Sequence, residues 1–179
     1  LVAGDDITIK ADYTSYIDVK AYGGSVGPVS LGAQVVVVAD SSSQSAYTQN
    51  ATSVFSAAKI VSANDVNFMA SATRNITTEV KGVAAGLLAA GASIGVVSVS
   101  GTTDAYLGSY TQVGQSTGQV DNLTIKANNS AVIKQDIWTV SAGIGAAAAN
   151  VGVVTYNPIL RIFIGDNSKI KTTGSVELS

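Results

Sequence analysis

The chain has 179 residues, of which only 12% are charged and 6% aromatic, with a net charge of −2 and neither cysteine nor histidine. Without Cys or His there are no disulfides, no thiolate nucleophiles and none of the usual zinc ligand sets. The ten Lys and Arg are scattered, so the electrostatic footprint of a nucleic-acid binder is missing.

The first predicted element begins at Ile7-Thr8-Ile9-Lys10-Ala11, where Ile7, Ile9 and Ala11 alternate with Thr8 and Lys10. Alternation of this kind is strand periodicity. The same start returns as Val66-Asn67-Phe68-Met69-Ala70 and as Leu123-Thr124-Ile125-Lys126-Ala127. Each opens an ungapped 44-residue frame, at residues 7–50, 66–109 and 123–166, and a fourth copy starts at Val176. Within the frame Gly27, Gly86 and Gly143 coincide, as do Tyr47, Tyr106 and Phe163. The starts are 59, 57 and 53 residues apart, a period that marks a stacked array whose units bury their apolar faces against one another. The expected organisation is one unit over 1–179, with repeats at 7–65, 66–122 and 123–175 and a fourth from 176, cut from a longer array.

In the first copy the strand-like pieces are roughly 7–11, 16–21, 26–31, 33–39, 44–48 and 58–62. At three strands per turn they predict about two rungs per repeat, with three as the alternative. The fold class is therefore all-β, a parallel β-helix or β-solenoid. Asp5-Asp6, Asn64-Asp65 and Asp121-Asn122 precede the three starts and read as turns feeding strands. A calcium site is the functional alternative there, although the Gly-Asp nonapeptide of calcium-binding β-rolls is missing.

Next come the Gly/Ala/Val-rich stretches 21–39, 82–100 and 141–160, all uncharged. Length alone would allow three transmembrane helices. Their residues insert weakly, however, and Pro28, Gln34 and Asn150 lie inside them. Gln34, Ser93 and Asn150 occupy one frame position between apolar neighbours, as a strand would place them. The expectation is that Ala33, Ala92 and Ala149 face inward with Val35, Ile94 and Val151. Gln34, Ser93 and Asn150 then face water. Gly86, Ala89, Ala90, Gly91 and Ala92 would let opposing sheets or a bend approach closely. The segments between frames, 51–65, 110–122 and 167–175, differ in length and are expected to form a surface loop on one side.

The stretch Ser93-Ile94-Gly95-Val96-Val97-Ser98-Val99, then Thr103-Asp104-Ala105-Tyr106-Leu107-Gly108, has a counterpart from Asn150 to Val154 followed by Arg161-Ile162-Phe163-Ile164-Gly165-Asp166. The pattern resembles the repeats of very large filamentous adhesins secreted by bacteria, of the leukotoxin-like and filamentous-haemagglutinin-like kind. The resemblance covers nearly the whole chain. It implies a right-handed β-helix at the bacterial cell surface or outside the cell, acting as a stalk or adhesive surface. The first copy departs at Ala46-Tyr47-Thr48-Gln49, which lacks the glycine found at 108 and 165.

The expected function is a non-catalytic structural or adhesive segment, with no cofactor and no metal. Its partners would be a receptor or glycan on a host or neighbouring cell, with end-to-end or lateral self-association, no nucleic acid and no membrane insertion. The enzyme alternative is a β-helix acting on polysaccharide through paired carboxylates. Most acids do not coincide between copies: Asp18 matches Thr77 and Lys134, and Glu79 matches Lys20 and Asp136. Three Asn-x-Thr sequons, at Asn50, Asn75 and Asn122, are read as coincidence in an Asn- and Thr-rich chain. The candidate surface contacts are Trp138 and Tyr22, which share a frame position with Lys81 and could stack on a sugar; the plainer reading is an isolated outward aromatic.

Overall fold

The computed structural model describes residues 1–114 and 118–179. Among them the chain forms strands and no helix. β1 (Ile7–Val26), β2 (Val29–Asp40), β3 (Gln44–Tyr47) and β4 (Lys59–Ile60) are followed by β5 (Ala63–Ala85), β6 (Leu88–Val99), β7 (Thr102–Leu107) and β8 (Gln112–Val113). A third set comprises β9 (Val120–Ala142), β10 (Gly145–Tyr156), β11 (Ile159–Ile164) and β12 (Lys169–Ile170), after which β13 (Val176–Leu178) begins again.

These strands form four parallel sheets: β1-β5-β9-β13, β2-β6-β10, β3-β7-β11 and β4-β8-β12. Ile7 pairs with Val66 and Val66 with Leu123; Tyr47 pairs with Tyr106 and Tyr106 with Phe163. The partners are the residues that the 44-residue frame equates. One pass through the four sheets therefore consumes a whole period, which corrects the expectation of two rungs per repeat. The sequence pieces 7–11 and 16–21 belong to one unbroken strand, β1, and 33–39 lies wholly within β2. Polar or glycine residues between apolar runs do not break a strand when each backbone group finds a ladder partner.

The stretches that were long enough for membrane helices are strands joined by a tight turn, and among the described residues no helix is long and apolar enough to cross a membrane. The turns stack. Gly27 N donates to Ala85 O at 3.1 Å and Gly86 N to Ala142 O at 3.0 Å. A Cβ on Gly86 would fall on the carbonyl oxygen of Gly27. Only glycine lets the backbones of adjacent turns come this close.

Among the described residues the interior has two apolar clusters. Val66, Phe68, Leu123 and Ile125 pack with Ile60, Leu107 and Val113 where the first sheet meets the third and fourth. Ile76 and Val80 pack with Val36, Val38, Val97 and Val99 where it meets the second. Val66 and Leu123 are fully buried and Ile7, on the flanking strand, is partly so; Ile76 is buried between the partly buried Ile17 and Ile133. These columns face inward as expected.

The second sheet faces the other way from the expectation. In β2 the buried positions are Ser30, Gln34, Val36, Val38 and Asp40, while Ala33, Val35 and Val37 are exposed. In β6 Ser93 and Val97 are buried, and Ala92 and Ile94 lie on the outer face. The Gln34 carboxamide occupies the space that Cβ atoms on Gly23 and Gly82 would need. Ser93 Oγ bonds Gln34 Oε1 at 3.3 Å, Trp138 O at 3.2 Å and Thr139 Oγ1 at 2.6 Å. A polar cluster of Gln34, Ser93 and Thr139 thus fills the slot opposite the glycines. The outward residues Val29, Leu31, Ala33, Val35, Val37 and Ala39 are all apolar while Ser30, Gln34 and Asp40 point in, so hydropathy pointed to the wrong face.

The Asx pairs also differ in place. Asn64-Asp65 and Asp121-Asn122 lie inside β5 and β9 rather than ahead of them. They form a ladder: Asn64 Nδ2 donates to Asp5 Oδ1 at 3.1 Å and Asn122 Nδ2 to Asp65 Oδ1 at 2.8 Å, while Asn122 Oδ1 accepts from Ser175 N at 2.9 Å. The inter-frame segments hold the fourth sheet, and the first makes its long excursion between β3 and β4. Residues 115–117, within the second, lie outside the described residues.

Candidate surface site on the first sheet

The outer face of the first sheet carries the candidate contacts. Tyr22, Lys81 and Trp138 pair across β1, β5 and β9 as one column, with the aromatic rings separated by the lysine. Tyr22 is 61% exposed and Trp138 39%. Strand alternation puts them there: Ala21, Val80 and Ile137 point inward, so the next residue of each strand points out. Two strand spacings, about 9.6 Å, separate the aromatic positions. With Gly23, Gly24 and Val83 they line a shallow depression. Trp138 is not isolated, because the Lys81 ammonium lies 5.6 Å from its ring centroid. That distance allows a cation–π contact.

The adjoining column is Lys20, Glu79 and Asp136. Lys81 bridges Glu79 and Asp136, with Asp136 Oδ2 at 3.3 Å; Lys20 reaches Glu79 at 3.9 Å and Asp18 at 3.6 Å. The hydrogen bond from Lys81 holds the Glu79 carboxyl below its ordinary 4.5, helped by one from Tyr22. The reciprocal bond to Glu79 raises Lys81 above 10.5. Its bond to Glu79 likewise pushes the Tyr22 phenol above 10.0. Glu79 is thereby kept as a carboxylate: it can accept from a ligand hydroxyl but is a poor proton donor.

Three features escaped the sequence reading. Arg74 is buried and its Nε donates to Asp40 Oδ2 at 3.2 Å, with further bonds to Asn129 Oδ1 and Ser42 O, both at 3.0 Å. Tyr13 OH and Ser42 N also donate to Asp40, at 3.1 and 3.0 Å. Arg161 makes a two-pronged contact with Asp104, at 2.9 and 2.6 Å. The Tyr47, Tyr106 and Phe163 rings stack, with centroids 5.1 and 4.4 Å apart. The frame equates these three aromatics, and parallel in-register pairing turns equivalence into stacking. The Arg74–Asp40 pair had no such signal, since neither residue recurs in the other copies.

Among the described residues no group of three or more His, Cys, Asp or Glu side chains is placed to hold a metal ion. No protein-family model, curated protein or solved structure matches this chain.

Proposed function

We propose that this chain is a β-solenoid segment of a secreted or surface-bound bacterial filamentous adhesin, a non-catalytic stalk that also presents a binding face. The observation carrying the reading is the in-register parallel stacking of residues one period apart, from Ile7 through Val66 to Leu123. Coiling would be right-handed, as in about 98% of parallel crossovers. Each circuit stacks on the one before, so length is added without a new core, which suits a stalk. The Tyr22–Lys81–Trp138 column supplies a ring surface flanked by hydrogen-bonding charge, chemistry suited to a glycan on a host or neighbouring cell.

The test is a glycan array probed with the purified chain, followed by binding to cells. Saturable binding that falls at least tenfold in Trp138→Ala/Tyr22→Ala supports the reading. Binding indifferent to that double variant removes the column from it.

A second reading is a β-helix acting on polysaccharide. Glu79 and Asp136, adjacent in one column beside the aromatics, favour it. Their shared ion pair with Lys81 opposes it, because one carboxyl must carry a proton to act as general acid. Release of reducing ends from a polysaccharide panel, lost in Glu79→Gln, would establish the enzyme.

A further inference from the structure

The two broad faces of the molecule differ in chemistry. Outward positions of the first sheet include Lys10, Asp12, Lys20, Glu79, Lys134 and Asp136. The outward positions of β2, β6 and β10 include no charged residue over three strands of twelve residues. Even in the central strand, flanked on both sides, Leu88 is 58% exposed. An uncharged apolar sheet face of this extent is an association surface rather than an ordinary solvated one.

We propose that this face pairs with the same face of a second copy of this chain. The relief of the face is self-complementary. Ala33, Ala92 and Ala149 form a low row straight across the three strands. Val35, Ile94 and Val151 form the next outward row, a ridge, and Val37, Val96 and Val153 a second ridge beside it. The alanine row is continuous with shallow depressions, one lined by Leu31, Ala33, Ala90 and Ala92. Consider a two-fold axis in the interface plane, between the alanine row and the first ridge and parallel to the rung stacking. It lays each copy's first ridge in the other's alanine row. It also sets Val96 and Val153 against the partner's Ala90 and Ala147, and Val37 of the flanking strand against its Leu31. Such pairing is isologous, as a two-fold contact requires. Both copies then run in the same axial direction, so each rung meets its own counterpart.

The area is sufficient. Twelve residues at about 3.3 Å and three strands at about 4.8 Å span roughly 40 by 14 Å, on the order of 560 Å² per copy. Both copies together bury roughly 1,100 Å², which clears the ~1,000 Å² minimum for a biological interface and lies in the range of weak, concentration-dependent association. A bilayer is the less suitable occupant, since no Lys, Arg, Trp or Tyr stands among the outward residues of this sheet to anchor it at headgroup level. The inference deepens the lateral self-association expected of the solenoid and rests on that reading only for its parallel stacking. It needs no glycan, so failure of one leaves the other standing.

The experiment is sedimentation velocity of the 179-residue chain over a wide concentration range, beside Ile94→Lys and the opposite-face control Thr73→Lys. The expected result is concentration-dependent dimer that weakens at least tenfold in Ile94→Lys and is unchanged in Thr73→Lys, all three giving the same far-UV spectrum. Because the chain has no cysteine, Ala92→Cys/Ile94→Cys should oxidise to a covalent dimer, while Thr73→Cys should not. A parent chain that is monomeric throughout overturns the proposal, as does a dimer indifferent to Ile94→Lys. So does a monomer that partitions onto phosphatidylcholine vesicles and loses that in Ile94→Lys, which would make lipid the occupant.

Discussion

Gln34 of one rung lies in the space beside Gly82 of the next: its carboxamide fills the volume a Cβ at position 82 would take, and its Oε1 accepts from Ser93. This contact fixes which face of the second sheet is the inside.

The consequence is a reversal of what hydropathy suggests. Ser93→Lys, in the central strand, buries an ammonium among Gln34, Thr139 and Trp138 O and should cost more than about 3 kcal/mol. Ala92→Phe, one residue away on the outer face, should stay within about 0.5 kcal/mol. Denaturant melts of the two variants beside the parent, at concentrations where the chain is monomeric, decide it. Equal or reversed losses would mean that Ala92 is the interior residue.

The tip turns offer a second contrast. Gly86→Ala drives a methyl group into the Gly27 carbonyl of the adjacent turn and should cost roughly 1–3 kcal/mol or more. Gly24→Ala, on the outer face of β1, meets nothing closer than 3.7 Å. It should be neutral or stabilising by about 0.4–1 kcal/mol through the unfolded chain. Thermal melts of the two variants give the ordering directly.

The buried pair sets acid stability. Burial alone would raise the Asp40 carboxyl, but hydrogen bonds from Ser42 and Tyr13 and the Arg74 charge hold it below its ordinary 3.8. A carboxyl depressed in the folded state contributes stability that is full above its unfolded value and is lost as pH falls through the folded one. The urea midpoint should therefore drop between about pH 5 and pH 2, and Asp40→Asn should flatten part of that slope. Arg74→Met, which leaves a buried carboxylate unpaired, should cost about 3–5 kcal/mol at neutral pH. Arg74→Met/Asp40→Asn should cost less than Arg74→Met alone; a larger loss would contradict the pairing.

The candidate surface site makes one prediction independent of any ligand. Glu79 raises the Tyr22 phenol above 10.0, so Glu79→Gln should bring its titration midpoint back toward that value. NMR of tyrosine labelled at Cζ follows Tyr22 separately from the other six tyrosines. An unchanged midpoint would show that the Glu79–Tyr22 contact is not formed in solution.

What the sequence made legible follows the strength of each physical signal. The equivalence of Ile7, Val66 and Leu123 was readable because period-2 alternation and recurrence agree. The same logic put Tyr22, Lys81 and Trp138 in one column before their surroundings were known. The number of rungs was not readable: polar Tyr13, Thr14 and Ser15 looked like a break, yet β1 runs through them. The facing of β2 was misread because its outer face is more apolar than its inner one, and the inner one is marked by the glycines opposite Gln34. The Arg74–Asp40 contact joins residues 34 positions apart on different rungs, which no single-copy pattern encodes.

The central claim is that one period makes one circuit, so residues a period apart are nearest neighbours. Thr14 pairs with Thr73, and Thr73 with Ser130, on the outer face of the first sheet. The chain contains no cysteine of its own. Oxidation of Thr14→Cys/Thr73→Cys should therefore yield an intrachain disulfide, the neighbouring Cα atoms being about 4.8 Å apart and within disulfide reach. Thr14→Cys/Ser130→Cys, two rungs apart, should remain reduced or cross-link only between molecules. If a period made two circuits, Thr14 and Thr73 would stand about 9.6 Å apart; failure of the first pair to close, with the fold intact, would contradict the account.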